Sequence, residues 1–354
     1  MSESVDKGAR QAINVATHTG SHGDQENVLT NLDCREARLQ LTEDLPVGGQ
    51  AVIEGVMMRA AGKIVTAVRT PDRGIVVREE AHTPWSQRWR PFKWPVLRGA
   101  VSFFEMLIIG MRTLNFSAEM AGGEEKERRP ALERGIWRER LVMGFTLVVS
   151  LGAGLGLFFF LPLFIAQKAG MSPDALAFNG VAGGVRLFLL LLYLWGISHW
   201  QEIRRVFEYH GAEHKSIFAL EAGAELTVAN ARICSRFHPR CGTSFLLIVA
   251  LLAVGIFALV DGAFPVVFGH PQSLLERFAT HLTVLPLISG LGFELLKFSG
   301  RRRHNPLVRV LSTPGLWLQR ITTREPSDEQ LEVALVALRH ALGQPSPRSY
   351  SLVS

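Results

Sequence analysis

Residues 141–166, LVMGFTLVVSLGAGLGLFFFLPLFIA, run for 26 positions without a charged side chain. A helix rises 1.5 Å per residue, and roughly 20 apolar residues cross the hydrocarbon core of a bilayer. This stretch therefore decides the fold class, because only a membrane span or an unusually large core would hold it. Three weaker runs lie further along. Phe245–Val260 is uninterrupted and extends past Asp261 to Phe268. Leu187–Ser198 reaches spanning length if it runs from Asn179 to Trp200, which puts Arg186 near an interface where it can snorkel. Leu282–Leu296 is interrupted by Pro286 and Glu294 and makes the fourth span.

The expected fold is thus mostly α, a polytopic membrane protein with four transmembrane helices across 141–300. The connections fix its orientation. Basic residues crowd 121–140, 199–243 and the stretch after Lys297, whereas the two other loops hold only Lys168, Arg186 and Arg277. Lysine and arginine stay on the cytoplasmic side, so both termini and the 199–243 loop are expected in the cytoplasm, with the protein in the cytoplasmic (inner) membrane.

Residues 1–46 are polar, lack an apolar core for secretion, and are expected as a disordered cytoplasmic tail. Residues 47–94 read as a small β element: Ala51–Met58 and Lys63–Thr70 as strands, then the turn Pro71-Asp72-Arg73-Gly74 into Ile75–Glu79. Residues 95–120 embed Arg98, Glu105 and Arg112 in apolar sequence, which fits an interfacial or re-entrant helix. A basic linker occupies 121–140. In the C-terminal segment 301–354, Pro314-Gly315-Leu316-Trp317 suits a lipid interface, and Ser327-Asp328-Glu329-Gln330 opens an amphipathic helix to Leu342.

The net charge of +6 sits beside apolar runs and forms no separate stripe, so the partner is the lipid bilayer and not nucleic acid. Cys34, Cys234 and Cys241 make no disulfide framework and fit a reducing compartment.

Candidate chemistry concentrates in Glu208-Tyr209-His210-Gly211-Ala212-Glu213-His214-Lys215. His210-x-x-Glu213-His214 matches the H-x-x-E-H pattern of inverted zinc peptidases, with all three on one helical face. Two imidazoles suit a divalent metal, zinc above all, and Glu213 is placed as a catalytic base. The competing reading is a solvated face, and Gly211 weakens the helix by about 1 kcal/mol relative to Ala. His238-Pro239-Arg240-Cys241 closes the loop that His210 opens. Three His and one Cys would be a structural site, whereas two His, one carboxylate and a water would be catalytic. Glu54, in the short apolar strand within Gly48–Arg59, needs a partner or a metal, and Glu294 needs a cation or a polar cavity. If Leu187–Phe218 is one helix, His210 lies about 16 Å beyond the membrane boundary.

Gly48–Arg59, Tyr209–Lys215, His238–Phe245 and Pro314–Gln319 with Thr322–Pro326 together resemble the YqhQ-like bacterial membrane proteins, a family of unknown function labelled a predicted metal-dependent enzyme. The resemblance implies roles for Glu54, His210, Glu213, His214, His238, Cys241 and Glu325. Ala229-Asn230 stands where it implies Glu-Asn, and Ala60-Ala61 departs after Arg59. The function expected is a membrane-embedded metal-binding protein, a zinc-dependent hydrolase at the cytoplasmic face. His210 and His214 are the ligands, Glu213 the base, and the third ligand is Glu54, Glu208, His238 or Cys241. A non-enzymatic assembly factor, regulator or transporter with a structural or sensing site is the alternative. Neither substrate nor protein partner is legible.

Overall fold

The computed structural model describes residues 47–60, 62–122, 136–170, 176–301, 306–345 and 350–353. The expected tail 1–46 and most of the linker 121–140 lie outside the described residues.

The β element is a five-stranded sheet in the order β1 (Gly48–Val52), β2 (Gly55–Ala60), β3 (Lys63–Arg69), β4 (Ile75–Ala81), β5 (Ser351–Val353). Consecutive strands pair antiparallel, and the C-terminal β5 adds parallel to β4. The single strand expected over Ala51–Met58 is two strands, because Ile53-Glu54 makes a tight turn with Val52 opposite Gly55. Glu54 takes the left-handed conformation there, at φ 52°. Gly55 follows because a Cβ on it would lie 2.2 Å from the Ala67 carbonyl oxygen.

Apolar side chains cover both faces of this sheet. Val56, Met58, Val65 and Ala67 join one buried core, while the alternating Met57 and Thr66 are buried on the other side.

Beyond β4 come a single turn, Trp85–Arg88, a 3-10 turn, Arg90–Lys93, and then α1 (Leu97–Ala121). The Trp85 N–H donates to the Glu105 carboxylate at 2.8 Å, so the chain runs out alongside α1 before turning back into it. The membrane part follows. Helix α2 (Ile136–Leu155) passes through a π turn (Gly156–Phe160) into α3 (Leu161–Lys168), and α4 (Leu176–Ile197) returns. Helices α7 (Gly242–Phe268) and α8 (Leu274–Arg301) form the second pair. Four stretches are long and apolar enough to cross a membrane: Gly144–Lys168, Ala177–Ile197, Gly242–Phe268 and Leu274–Phe298. They make the chain a multi-pass membrane protein in contact with a lipid bilayer. Leu147, Val148, Leu251, Leu259 and Leu287 are exposed on them, as lipid-facing residues must be.

Pro286 does not interrupt α8, and Glu294 on it is paired. Arg98 grips the Glu294 carboxylate with hydrogen bonds of 2.6–3.0 Å from two guanidinium nitrogens. The pair forms because α1 and α8 cross with their backbones in contact: a Cβ on Gly290 would lie 2.2 Å from the Val96 carbonyl oxygen, and one on Gly99 would lie 2.5 Å from the Gly290 oxygen. Small residues at such a crossing are what permits it in a membrane. Gly290 is eight residues before the end of the span at Phe298, about 12 Å along the helix. The start of α1 therefore meets α8 at a level inside the candidate span. Trp89, Trp94, Phe104, Leu107 and Met111 are exposed along it.

Between the two pairs of spans lie α5 (Gln201–Glu221) and α6 (Val228–Ile233), and after them α9 (Pro306–Thr322) and α10 (Asp328–Ala341). The core under the sheet is built from all three stretches of sequence. Tyr209, Ala212 and Phe218 of α5, Ala231 of α6, and Leu331, Leu335 and Leu338 of α10 pack with the strand residues. Helix α10 opens with the expected capping box, Ser327 and Gln330 each bonding the other's backbone N–H. It is buried from Val333 to Leu338, a core helix more than an amphipathic surface one. Two sequence expectations change here. Helix α4 ends at Ile197 and α5 begins anew at Gln201, with Trp200 extended at ψ 133°, so Leu187–Phe218 is not one helix. Arg186 is ten residues into α4, about 15 Å from its start and far from either interface.

Replacing Gly290 with Ala should push α1 off α8 and lower the thermal stability of the detergent-solubilised protein by an amount equivalent to about 1–3 kcal/mol. Gly255→Ala, which meets nothing within 4 Å, is the control expected to leave the melt unchanged. Equal melts for the two would mean that the glycine crossing does not hold α1.

Candidate metal centre

Helix α5 is regular through His210-Gly211-Ala212-Glu213-His214, and Gly211 is what lets it pack. A Cβ there would lie 2.0 Å from the Arg324 carbonyl oxygen. The chain leaving α9 thus runs directly over α5, tied by the Arg324 N–H donating to the Phe207 carbonyl at 2.8 Å. The glycine read as a helix weakness is the requirement of this contact.

His210 and His214, four residues apart, share the face beneath it, with ring centroids 4.5 Å apart. Each ring is held from behind by a backbone carbonyl. His210 Nδ1 donates to the Thr322 oxygen at 2.8 Å and His214 Nδ1 to the Arg236 oxygen at 2.5 Å. A carbonyl only accepts, so each neutral ring carries its proton on Nδ1 and its lone pair on Nε2. That is the tautomer a metal-ligating histidine requires, with the outer partner that fixes it. Cys241 supplies the third donor. It is the N-cap of α7, its Sγ accepts from the Thr243 N–H at 3.4 Å, and it lies 3.2 Å from His210 Nε2. Donor atoms of His210, His214 and Cys241 all lie within 4.8 Å of one another. Zinc distances of about 2.0–2.1 Å to nitrogen and 2.3 Å to sulfur, at a tetrahedral angle, would put N and S about 3.6 Å apart. The observed pair is within half an ångström of that, so the three residues could hold a metal ion.

Glu213 lies beside them, its Oε2 3.9 Å from His210 Nε2. Its carboxylate packs so tightly on Gly49 that a Cβ there would come within 2.8 Å of it. Burial pushes its pKa up, opposed by the charge of His210 and by the Gly49 N–H. Burial likewise pushes the His214 pKa down, favouring the neutral ring.

The other sequence candidates go elsewhere. His238 is close, its ring 5.6 Å from that of His214, but both of its nitrogens are engaged: Nδ1 accepts from the Arg240 N–H at 3.2 Å, and Nε2 faces Glu221 Oε2 at 3.4 Å. Glu54 forms a two-pronged ion pair with Arg205 and accepts from the Tyr209 hydroxyl at 3.4 Å. Glu208 accepts from Gln330 Nε2 at 3.0 Å, and Glu325 pairs with Lys215 on the exposed side. Glu294 is held by Arg98 in the membrane part.

Sequence reasoning missed Gln319, which is fully buried and clamps His238 through both ends of its amide. Its Oε1 accepts from the His238 N–H and its Nε2 donates to the His238 carbonyl, each at 2.8 Å. This sets the turn that delivers Cys241. A glutamine on an otherwise apolar helical face was the available signal. Gly49, Arg236 and Thr322 act through backbone atoms, which no side-chain pattern reveals.

The chain belongs to the family described as protein of unknown function (DUF1385), whose sequence model matches residues 94–344. It is similar to the uncharacterized protein YqhQ of Bacillus subtilis (strain 168), at 34% identity over 310 residues, covering 83% of this chain and 92% of that one. No solved structure matches it.

Gly211→Ala should displace the Arg324 segment and with it the Thr322 carbonyl behind His210. A stability loss of about 1–3 kcal/mol is expected in thermal unfolding, against a few tenths for a tolerated Gly→Ala in a helix. An unchanged or raised melting temperature would contradict the close approach.

Proposed function

We propose that this protein is a membrane-anchored, metal-dependent hydrolase, with His210, His214 and Cys241 as ligands of a divalent ion, zinc being the best match, and Glu213 as general base. One observation carries the reading. Three protein donors converge while, among the described residues, nearby His238 is engaged with Glu221 and the Arg240 N–H, which would leave a fourth position to water if Glu213 serves as base and not as ligand. Structural zinc sites close with four protein ligands, whereas catalytic ones keep a place for water. An ion held here would act as a Lewis acid and lower the pKa of water in that position. Glu213, buried and 3.9 Å from His210 Nε2, would be the residue to take up a proton there and return it to a leaving group. Gly49 and Gly211 keep its side and the histidine side tightly packed, which limits the motion of base against ligands.

The purified protein should carry one equivalent of zinc, lost in His210→Ala and Cys241→Ala and retained in Glu54→Ala, Glu208→Ala and Glu325→Ala. Substituted with cobalt(II), it should show a thiolate charge-transfer band that disappears in Cys241→Ser. A hydroxamate should shift the visible spectrum by entering the open position. A cobalt spectrum indifferent to hydroxamate would favour a closed structural site, and with it the non-enzymatic alternative. Glu213→Gln should keep the metal and abolish turnover in a screen of amide and ester substrates.

The basic connections favour a cytoplasmic location for the sheet, the metal centre and both termini in the cytoplasmic membrane. A reporter fused after Ser354 should therefore read cytoplasm, and one inserted in the connection between α3 and α4 should read exterior. Opposite readings would invert the protein and place the site on the other face of the membrane.

A further inference from the structure

A second polar constellation lies inside the spans, at the end away from the sheet. Asp261 of α7 accepts from Asn179 Nδ2 at 2.7 Å and faces His281 Nε2 at 2.9 Å and Arg277 at 3.3 Å. With Asn179, His281 and Arg277 around it, the carboxylate of Asp261 is fully partnered. One turn deeper is Arg186, nine-tenths buried. Its Nε donates to the Phe158 carbonyl at 2.9 Å, an acceptor in the π turn. Its guanidinium lies over the rings of Phe159 and Phe257, 5.0 and 5.1 Å from the centroids. One terminal nitrogen, NH2, is buried without a hydrogen-bond partner.

The spans hold no carboxylate to balance this guanidinium. Within the four candidate spans the acidic residues are Asp261, Glu276 and Glu294. Asp261 serves Arg277 and His281, Glu276 accepts from the Ser273 backbone and hydroxyl, and Glu294 is held by Arg98. Among the described residues, the two guanidiniums of Arg186 and Arg277 stand against the one carboxylate of Asp261, a surplus of one positive charge. Ring faces and a carbonyl offset part of the cost of an arginine in hydrocarbon, but they supply no charge.

We propose that Arg186 is the centre of an intramembrane anion site that takes one small monovalent anion, such as a halide, between the π turn Gly156–Phe160, α4 and α7. A monovalent ion matches the surplus of one. Arg186 and its partners Phe158 and Phe257 each lie about 15 Å from the far ends of their helices, near the middle of the hydrocarbon core. Lipid phosphates do not reach that depth, so the anion is a free ion. The unpartnered NH2 is the donor it would meet.

The test is thermal unfolding of the full chain in detergent, in sodium chloride or sodium gluconate at equal ionic strength. Chloride should raise the melting temperature of the wild type progressively, as binding to the folded state requires. Arg186→Gln should remove that dependence. Crystals soaked in bromide should show an anomalous peak in hydrogen-bonding contact with the Arg186 guanidinium, a measurement that stands even if Arg186→Gln fails to fold. A wild-type melt indifferent to chloride, a shift that survives in Arg186→Gln, or bromide absent from Arg186 would each overturn the proposal.

Discussion

The contact between Gly211 and the Arg324 carbonyl governs how the rest of the molecule outside the spans is assembled. A backbone oxygen seated where a side chain would stand brings two segments, more than a hundred residues apart in sequence, to the closest distance polypeptides reach. From that point Thr322 extends its carbonyl to His210, Glu325 reaches Lys215, and Pro326-Ser327 starts the helix that fills the core under the sheet. Neither α5 nor the sheet could bury its apolar face without α10, and α10 is positioned by this crossing. The same contact therefore sets both the hydrophobic core and the orientation of one imidazole, so folding and site geometry are not separable here.

The division of labour among hydrogen bonds is equally specific. Backbone carbonyls choose the histidine tautomers, a backbone N–H steadies the sulfur, and a side-chain amide holds the turn between them. Backbone groups fixed by secondary structure reorganise little, and a site built from them keeps its donors aimed in one direction. The carboxylates that the sequence also offered as ligands, Glu54, Glu208 and Glu325, are instead engaged with Arg205, Gln330 and Lys215.

The spans were legible because hydrocarbon imposes a length and forbids charge, constraints written directly in residues 141–166 and 245–268. The helical spacing of His210, Glu213 and His214 was legible for a similar reason, since three and four residues return to one face. Cys241 could be named but not chosen over His238, Glu54 or Glu208. Its selection depends on Gln319 and on the start of α7, which are contacts across the chain. Arg186 was expected near an interface because the apolar run was extended only to Asn179–Trp200, whereas the helix spans Leu176–Ile197 and leaves the arginine deep. The small β element and the helix after Ser327 were expected, but not that α5, α6 and α10 share the sheet's core, because that core is drawn from three separated stretches, none of which buries enough by itself.

Cys241 has two neighbours of very different kinds: a histidine cluster on one side and a transmembrane helix of 27 residues on the other. That helix is about 40 Å long and behaves as a stiff rod. Metal coordination tolerates displacements of about 0.2 Å. Any sliding or tilting of α7 by more than this would be felt directly at the sulfur that caps it. If a metal ion is held by His210, His214 and Cys241, its coordination and the position of this helix would be linked through a single cysteine.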